Sequence, residues 1–219
     1  MLSAYEVRVE FVQLELKRNR GWPWPEDSWG LDSMYGPDGW CRSCGIPLQE
    51  QTGPLTLRAS GMSPVQGAWV PNWRFDTICV EATLAARLGS EYRLETRPVA
   101  WHRNVQGAAM QIIAPTIKPE WFDPDALRTA AVSRHGSAGK NCAECCVWRW
   151  LPLPLELLPP VWSSTRWDDY GVVASPEWFG DGAQSFREVL VRRKLAQAIV
   201  SASPKDFKVR EISRTSPVG

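Results

Sequence analysis

Cys41-Arg42-Ser43-Cys44-Gly45 and Cys142-Ala143-Glu144-Cys145-Cys146 are two C-x-x-C turns set far apart in one chain. Each such turn aims two sulfurs at one spot, and a second turn supplies the other two corners of a tetrahedron. Zinc takes four thiolates in that geometry, in sites that leave no coordination position open. Gly45 suits the first turn, because a tight knuckle needs backbone angles that glycine adopts without steric cost. The stretch between the pairs is much longer than in a minimal zinc ribbon. It reads as an insertion, with a structural metal tying the early chain to the late chain. The expected ligands are Cys41, Cys44, Cys142 and Cys145, with Cys146 the alternative to Cys145. Disulfides and free thiols are the competing readings of the same residues. Cys79, inside Thr77-Ile78-Cys79-Val80, reads as a small buried hydrophobe.

A chain of 219 residues, 44% of them hydrophobic, has room for one large domain or two small ones and can bury a sizeable core. Its formal net charge of +1 gives no general attraction to phosphate backbones or anionic membranes. Arg187, Arg192, Arg193 and Lys194 fall on one predicted helix and read as a solvated face. The opening Met1-Leu2-Ser3-Ala4-Tyr5-Glu6-Val7-Arg8 carries charges where a secretion signal would be apolar. The longest apolar candidate, Leu151 to Trp162, is interrupted by Pro152, Pro154, Pro159 and Pro160 and is too short to span a bilayer. These features predict a cytosolic protein with reduced thiols, which favours metal over disulfides. The chain has 13 tryptophans, and Trp22, Trp24, Trp29, Trp40, Trp69 and Trp73 stand beside or near Pro or Gly. Rings of that size fill cores built of loops, and they anchor protein interfaces.

Residues 5–16 read as the first strand. Tyr5, Val7, Val9 and Phe11 alternate, then Val12, Leu14 and Leu16 alternate in the opposite phase, which predicts a bulge near Phe11–Val12 or two strands. A Trp/Pro/Gly loop over 18–40 leads to the first knuckle, and Leu55-Thr56-Leu57 forms a short strand. Phe75 to Val80, Glu81 to Leu88 and Tyr92 to Val99 predict a strand, a helix capped by Gly89, and a second strand. Gln111 to Ala114 reads as a strand, and Asp123 to Val132 as a helix with Asp123 as cap and Pro124 at its first position. Near the end, Tyr170 to Ala174 predicts a strand, Ser175-Pro176-Glu177 a helix start, Phe186 to Val200 the strongest helix, and Phe207 to Ile212 a closing strand. The two strand–helix–strand units, together with the tetrapeptide Pro-Glu-Trp-Phe at 119–122 and 176–179, hint at a diverged repeat. The proline-rich stretch 151–160 is expected to be extended and to join a region 1–160, holding the knuckles, to a unit 161–219 packed against it in one globule. Mixed order without a β-α-β rhythm makes the fold class α+β, a mixed sheet with a few helices and an embedded zinc-ribbon-like site.

A catalytic constellation does not emerge. No phosphate-binding Gly-x-x-x-x-Gly-Lys-Ser/Thr loop, Gly-x-Ser-x-Gly elbow or His-Glu-x-x-His is present. The two histidines, His102 and His135, read as surface residues, although either can replace one thiolate. Zinc deaminases need His-x-Glu upstream of Pro-Cys-x-x-Cys. Here Arg103 and Asn104 follow His102, and Asn141 precedes Cys142. The metal is therefore expected to be structural. Asp168-Asp169 has no visible partner and reads as solvated.

The order of these features resembles the double-CXXCG family of small bacterial proteins, some of which are assigned as immunity proteins against toxins delivered by neighbouring cells. The likeness rests on Trp29-Gly30-Leu31, the Cys41–Gly45 knuckle, Gly53-Pro54-Leu55-Thr56, an aromatic strand leading into Glu81–Leu88, the second knuckle, and a closing strand–helix–strand. The resemblance implies zinc on Cys41, Cys44, Cys142 and Cys145. It departs from the family at Cys146, which stands where the second glycine belongs. It further implies a non-enzymatic module that occludes a protein partner, a toxin. Exposed tryptophans are the expected anchors of such an interface, and Trp22, Trp24 and Trp29, displayed by a Pro-rich loop, are the candidates. No small-molecule substrate is expected. A nucleic-acid-binding zinc protein is the alternative; it needs a basic face built from Arg42, Lys140, Arg149 and the arginines of 187–193.

Overall fold

The Val12-x-Leu14-x-Leu16 alternation places those side chains on one face of a strand, and Phe11 goes to the other. In the computed structural model, which describes residues 10–23, 28–59, 62–162, 167 and 169–215, this strand is β1 (Phe11–Leu16). Both of its faces are covered: Val12 packs into one core and Phe11 into another. The expected phase change involves Tyr5, Val7 and Val9, which lie outside the described residues. Burial on two sides accounts for a sequence that is apolar in both phases around Phe11–Val12.

The chain then forms β2 (Trp22–Pro23), α1 (Leu31–Tyr35), β3 (Thr56–Arg58), β4 (Ala68–Trp69), β5 (Ile78–Glu81) and α2 (Ala82–Tyr92). There follow β6 (Thr96–Pro98), β7 (Ala100–Trp101), β8 (Ala109–Ile112), α3 (Pro124–His135), β9 (Gly139–Asn141) and β10 (Trp148–Trp150). The last elements are a single 3-10 turn at Leu155–Leu157, β11 (Val172–Ala174), β12 (Val189–Arg192), α4 (Arg193–Ala202) and β13 (Phe207–Arg210). Sheets and helices together make an α+β fold.

Two antiparallel four-stranded sheets share one plan. Their orders are β4-β5-β8-β6 and β11-β12-β1-β13. In each, a strand runs directly into a helix, and the chain returns on the far side of a central strand: β5-α2-β6 around β8, and β12-α4-β13 around β1. Both are split β-α-β units. The central strand of the first comes from later in the chain, and that of the second from its beginning. The units therefore occupy separate sheets. They meet in a common core where Ile78, Val80, Leu84 and Leu88 pack with Val12, Val191, Leu195, Ile199 and Phe207. Each fully buried aliphatic side chain there contributes about 2 kcal/mol. At their junction the Ala68 amide donates to Ser203 Oγ at 2.6 Å, and a side chain on Gly67 (φ 65) would strike that oxygen at 2.3 Å.

The opposite faces carry two further cores. Cys79, fully buried as expected, joins Leu31, Met34, Leu57 and Trp69 behind the first sheet. Phe11, Leu190 and Val173 join Trp121, Trp167 and Phe179 behind the second, covered by α3 through Leu127 and Ala131. A smaller sheet, β2-β3-β7, and the β9-β10 hairpin complete the architecture.

Several expected boundaries move. The 18–40 loop contains β2 and α1. The helix expected to end at Gly89 runs through it to Tyr92, which packs against the common core, so the left-handed cap falls on Arg93 (φ 52). Thr96–Pro98 is all that is strand in the segment expected to run from Tyr92 to Val99. The helix expected over Phe186–Val200 begins only at Arg193. Val189–Arg192 is a strand, because Leu190 and Val191 face opposite cores and a short continuous apolar run fits a doubly buried strand as well as a helix. Ser175 starts no helix: its hydroxyl donates to Glu177 O at 3.0 Å and accepts from the Glu188 amide at 3.3 Å. The α3 assignment holds, with Asp123 accepting from the amides of Asp125 and Ala126, and the helix closing at Gly136 (φ 76).

Candidate metal centre

The first knuckle is a tight turn closed by its own backbone. The Cys41 amide donates to Ile46 O at 2.9 Å, and the Gly45 amide to Cys41 O at 2.7 Å. Trp40, bridged to Pro47, forms its base, and α1 buttresses it through Asp32, which accepts from Trp40 Nε1 at 2.9 Å. The second knuckle is the tip of the β9-β10 hairpin and repeats the pattern. Cys142 N donates to Val147 O at 3.0 Å, and Cys146 N to Cys142 O at 3.0 Å. Gly45 and Cys146 occupy the same corner, with φ 75 and φ 58. A cysteine in the place of a second glycine therefore keeps the turn geometry that Gly45 has. Cys146 is exposed and outside the sulfur cluster, which leaves Cys145 as the fourth member.

Ligand atoms of Cys41, Cys44, Cys142 and Cys145 all lie within 4.8 Å of one another. Cys41 Sγ is 3.6 Å from Cys142 Sγ, and Cys44 Sγ is 3.6 Å from Cys145 Sγ. A disulfide needs about 2.05 Å, so the cysteines are free thiols. Four sulfurs at about 2.3 Å from one tetrahedral ion stand about 3.8 Å apart, close to the separations found. The donor set therefore fits a single metal ion such as zinc, with every tetrahedral position taken by sulfur.

Electrostatics favour a cation here. Burial pushes the Cys44 and Cys41 thiols up, while amide N–H bonds from Cys145 and Glu144 bring Cys142 down to about 6. Four thiolates cannot gather in this space without a compensating charge, which a divalent ion would supply. Glu144 accepts from Ser43 and, while Cys41 keeps its proton, from Cys41 Sγ at 3.5 Å; these bonds hold its carboxyl below its usual range and link the two knuckles.

A third hairpin tip, residues 180–186, closes the back of the site. Ser185 Oγ donates to Cys44 O at 2.6 Å, and a Cβ on Gly45 would meet Ala183 O at 2.5 Å. Arg149, 3% exposed, points Nη1 at Cys44 O, Gly182 O, Gln184 O and Ser185 Oγ, between 2.9 and 3.3 Å. Val147 and Trp178 pack against the cysteines. Arg149 is thus a tether beneath the sulfurs, a role that its place in a Trp-Arg-Trp strand gives no sign of.

The other singled-out residues do not converge. His135 ends α3, exposed, with Nε2 2.8 Å from Pro152 O, and His102 is exposed; neither joins the sulfurs. The basic residues form no common helix face: Arg187 precedes β12, Arg192 ends it and pairs with Glu10, and Arg193 in α4 pairs with Glu211. Arg42 stacks on Trp40 at 4.2 Å and pairs with Asp32 at 2.8 Å. Of the tryptophans proposed as anchors, Trp22 is 46% exposed, Trp29 is half-buried, and Trp24 lies outside the described residues. Trp73 was not singled out as an anchor, yet it is 44% exposed. Asp169 is exposed and Asp168 lies outside the described residues.

No protein-family model matches the chain, and a search of curated proteins finds no match. No helix among the described residues is long and apolar enough to cross a membrane.

Proposed function

We propose that this chain is a double-CXXCG-type protein: a non-catalytic, zinc-stabilised module that binds another protein, a toxin, and neutralises it by occlusion. Zinc at Cys41, Cys44, Cys142 and Cys145 has no free coordination position, so its part is to fix three hairpin tips relative to one another. The observation that carries the binding role is an aromatic ridge beside that rigid corner. Trp29 and Trp73 lie 6.5 Å apart, and Phe75, 43% exposed, sits against Phe186 at 5.6 Å. Both tryptophans have left-handed backbone, φ 47 and φ 66. That conformation costs an ordinary side chain about 1–2 kcal/mol, and strain retained at a surface is a pointer to function. Gln184 Nε2 donates to Trp73 O at 3.2 Å, which ties the ridge to the hairpin behind the knuckles. Exposed rings of this kind dominate binding energy in protein interfaces.

The test is copurification from native cells with the wild-type chain and a Trp73→Ala, Phe75→Ala variant. A single stoichiometric protein retained by the wild type and lost by the variant is the expected result. Nucleic acid in its place, with affinity falling steeply as salt rises, would replace this reading with the nucleic-acid one.

A further inference from the structure

A polar cleft of about 620 Å³ opens between the first knuckle and the split β-α-β units, lined by Tyr35, Arg74, Asp76, Arg97, Trp178 and Arg187 among others. It is within the size range of small-molecule sites. Its guanidiniums are under-used. Arg74 is 6% exposed, and among the described residues its guanidinium's one ion pair is Nη2 to Asp76 Oδ1 at 3.4 Å, longer than a charge-assisted hydrogen bond. Arg187 is half-buried and has no hydrogen bond or ion pair among the described residues; its guanidinium lies over the Trp178 ring at 4.2 Å. The Nε atoms of both are buried without a partner. An arginine offers five N–H donors, and a buried unpaired donor or charge is costly enough that native structures satisfy it.

The acids nearby do not fill the need. Asp76 is the half-buried carboxylate lining the cleft, 13% exposed at its side chain, and it meets Arg74 only at 3.4 Å. Glu177 is buried and close enough for its charge to act on Arg187, but it makes no hydrogen bond or ion pair with that guanidinium among the described residues; its Oε1 accepts from the Trp121 and Phe122 amides. Glu95 stands at the rim, 3.9 Å from Arg97, and Glu50 is exposed. Arg97 is already engaged by Gln51 O. The Tyr35 hydroxyl, on a half-buried side chain and feeling the charges of Arg74, Asp76 and Arg187, adds a neutral donor.

We propose that this cleft binds a small organic oxyanion, a carboxylate or phosphate ester, gripped by Arg74 and Arg187 with Trp178 holding the Arg187 guanidinium flat. The forked guanidinium matches an oxyanion in two parallel hydrogen bonds, and a ring beneath it keeps the fork oriented. Arg74 and Arg187 adjoin the ridge residues Trp73, Phe75 and Phe186 along the chain, but anion binding is read out without a protein partner and stands or falls independently of the protein-binding reading.

The experiment is calorimetric titration of the metal-loaded protein with inorganic phosphate and, separately, with succinate, each against sodium chloride at matched ionic strength. Saturable heat with at least one of them is expected, and a tenfold or greater weakening in Arg187→Gln. Phosphate alone marks the ligand as a phosphate ester, and succinate alone as a carboxylate. The Arg187 guanidinium carries no hydrogen bond or ion pair among the described residues, so its variant should keep the wild-type melting temperature within a few degrees; Arg187→Lys, which retains charge but loses the fork, should bind weakly. No saturable heat with either anion, or equal binding by Arg187→Gln, overturns the proposal.

Discussion

Glu177 Oε1 accepts hydrogen bonds from the backbone amides of Trp121 at 2.6 Å and Phe122 at 3.2 Å. The donors belong to one copy of Pro-Glu-Trp-Phe and the acceptor to the other. The rings follow: Phe122 and Phe179 meet edge to face at 6.2 Å, and Trp121 and Phe179 are both fully buried. The second copy also carries the β9-β10 hairpin that bears Cys142 and Cys145, since Trp150 N donates to Trp178 O at 2.9 Å and Gly180 N to Trp150 O at 2.9 Å. Removing the Glu177 carboxyl leaves two buried amides without acceptors. Glu177→Ala is expected to destabilise the fold by roughly 3 kcal/mol, and Glu177→Gln, which keeps Oε1, by clearly less. Urea denaturation of the three proteins compares them directly.

Cys146 holds a left-handed corner that its counterpart Gly45 holds without strain. The cost to a residue with a Cβ is about 1 kcal/mol or slightly more. Cys146→Gly should therefore raise stability by about 1 kcal/mol while leaving metal content unchanged. A loss of one bound ion per chain in this variant would show that the exposed thiol, not Cys145, completes the site.

Glu188 gives a pH dependence of definite sign. Burial pushes its carboxyl up to about 7, against an ordinary 4.5, with Gln13 Nε2 donating to it at 3.1 Å. A carboxyl with a higher pKa in the folded chain holds its proton more tightly there than when unfolded. Its contribution is thus greatest below the unfolded pKa and is lost as the pH rises to about 7. The span corresponds to about 3 kcal/mol. Glu188→Gln removes the titration, so the variant should gain on the wild type between pH 4.5 and 8 and be the more stable of the two at pH 8. Denaturant midpoints at both pH values measure that difference, and the metal centre's own acid sensitivity cancels between the two proteins.

How much the sequence disclosed varied with how local the cause was. The knuckles were legible because C-x-x-C spacing fixes where two sulfurs point, and α3 because Asp123 and Pro124 are a start signal complete in itself. The α+β class followed from element order. Val189–Arg192 was misread because the alternation that marks a strand disappears when both faces are buried. The Ser175-Pro176-Glu177 start signal was overridden by tertiary bonds to Glu188 and to the Trp121 amide. The kinship of the two split β-α-β units showed only as a faint tetrapeptide, since their central strands β8 and β1 lie at different points along the chain. Arg149 and the Arg74–Arg187 cleft depend on residues brought together from distant segments, which no local pattern encodes.

The central claim is that four sulfurs from two distant turns hold one zinc ion that braces the fold. Metal analysis and X-ray absorption on the purified chain test it most directly. One zinc per chain with four sulfurs at about 2.3 Å is expected, with joint loss of metal and folded stability in Cys41→Ser and Cys142→Ser. A Cys41→Ser protein with full metal content and an unchanged Tm, or an absorption spectrum with oxygen in the first coordination sphere, would contradict it.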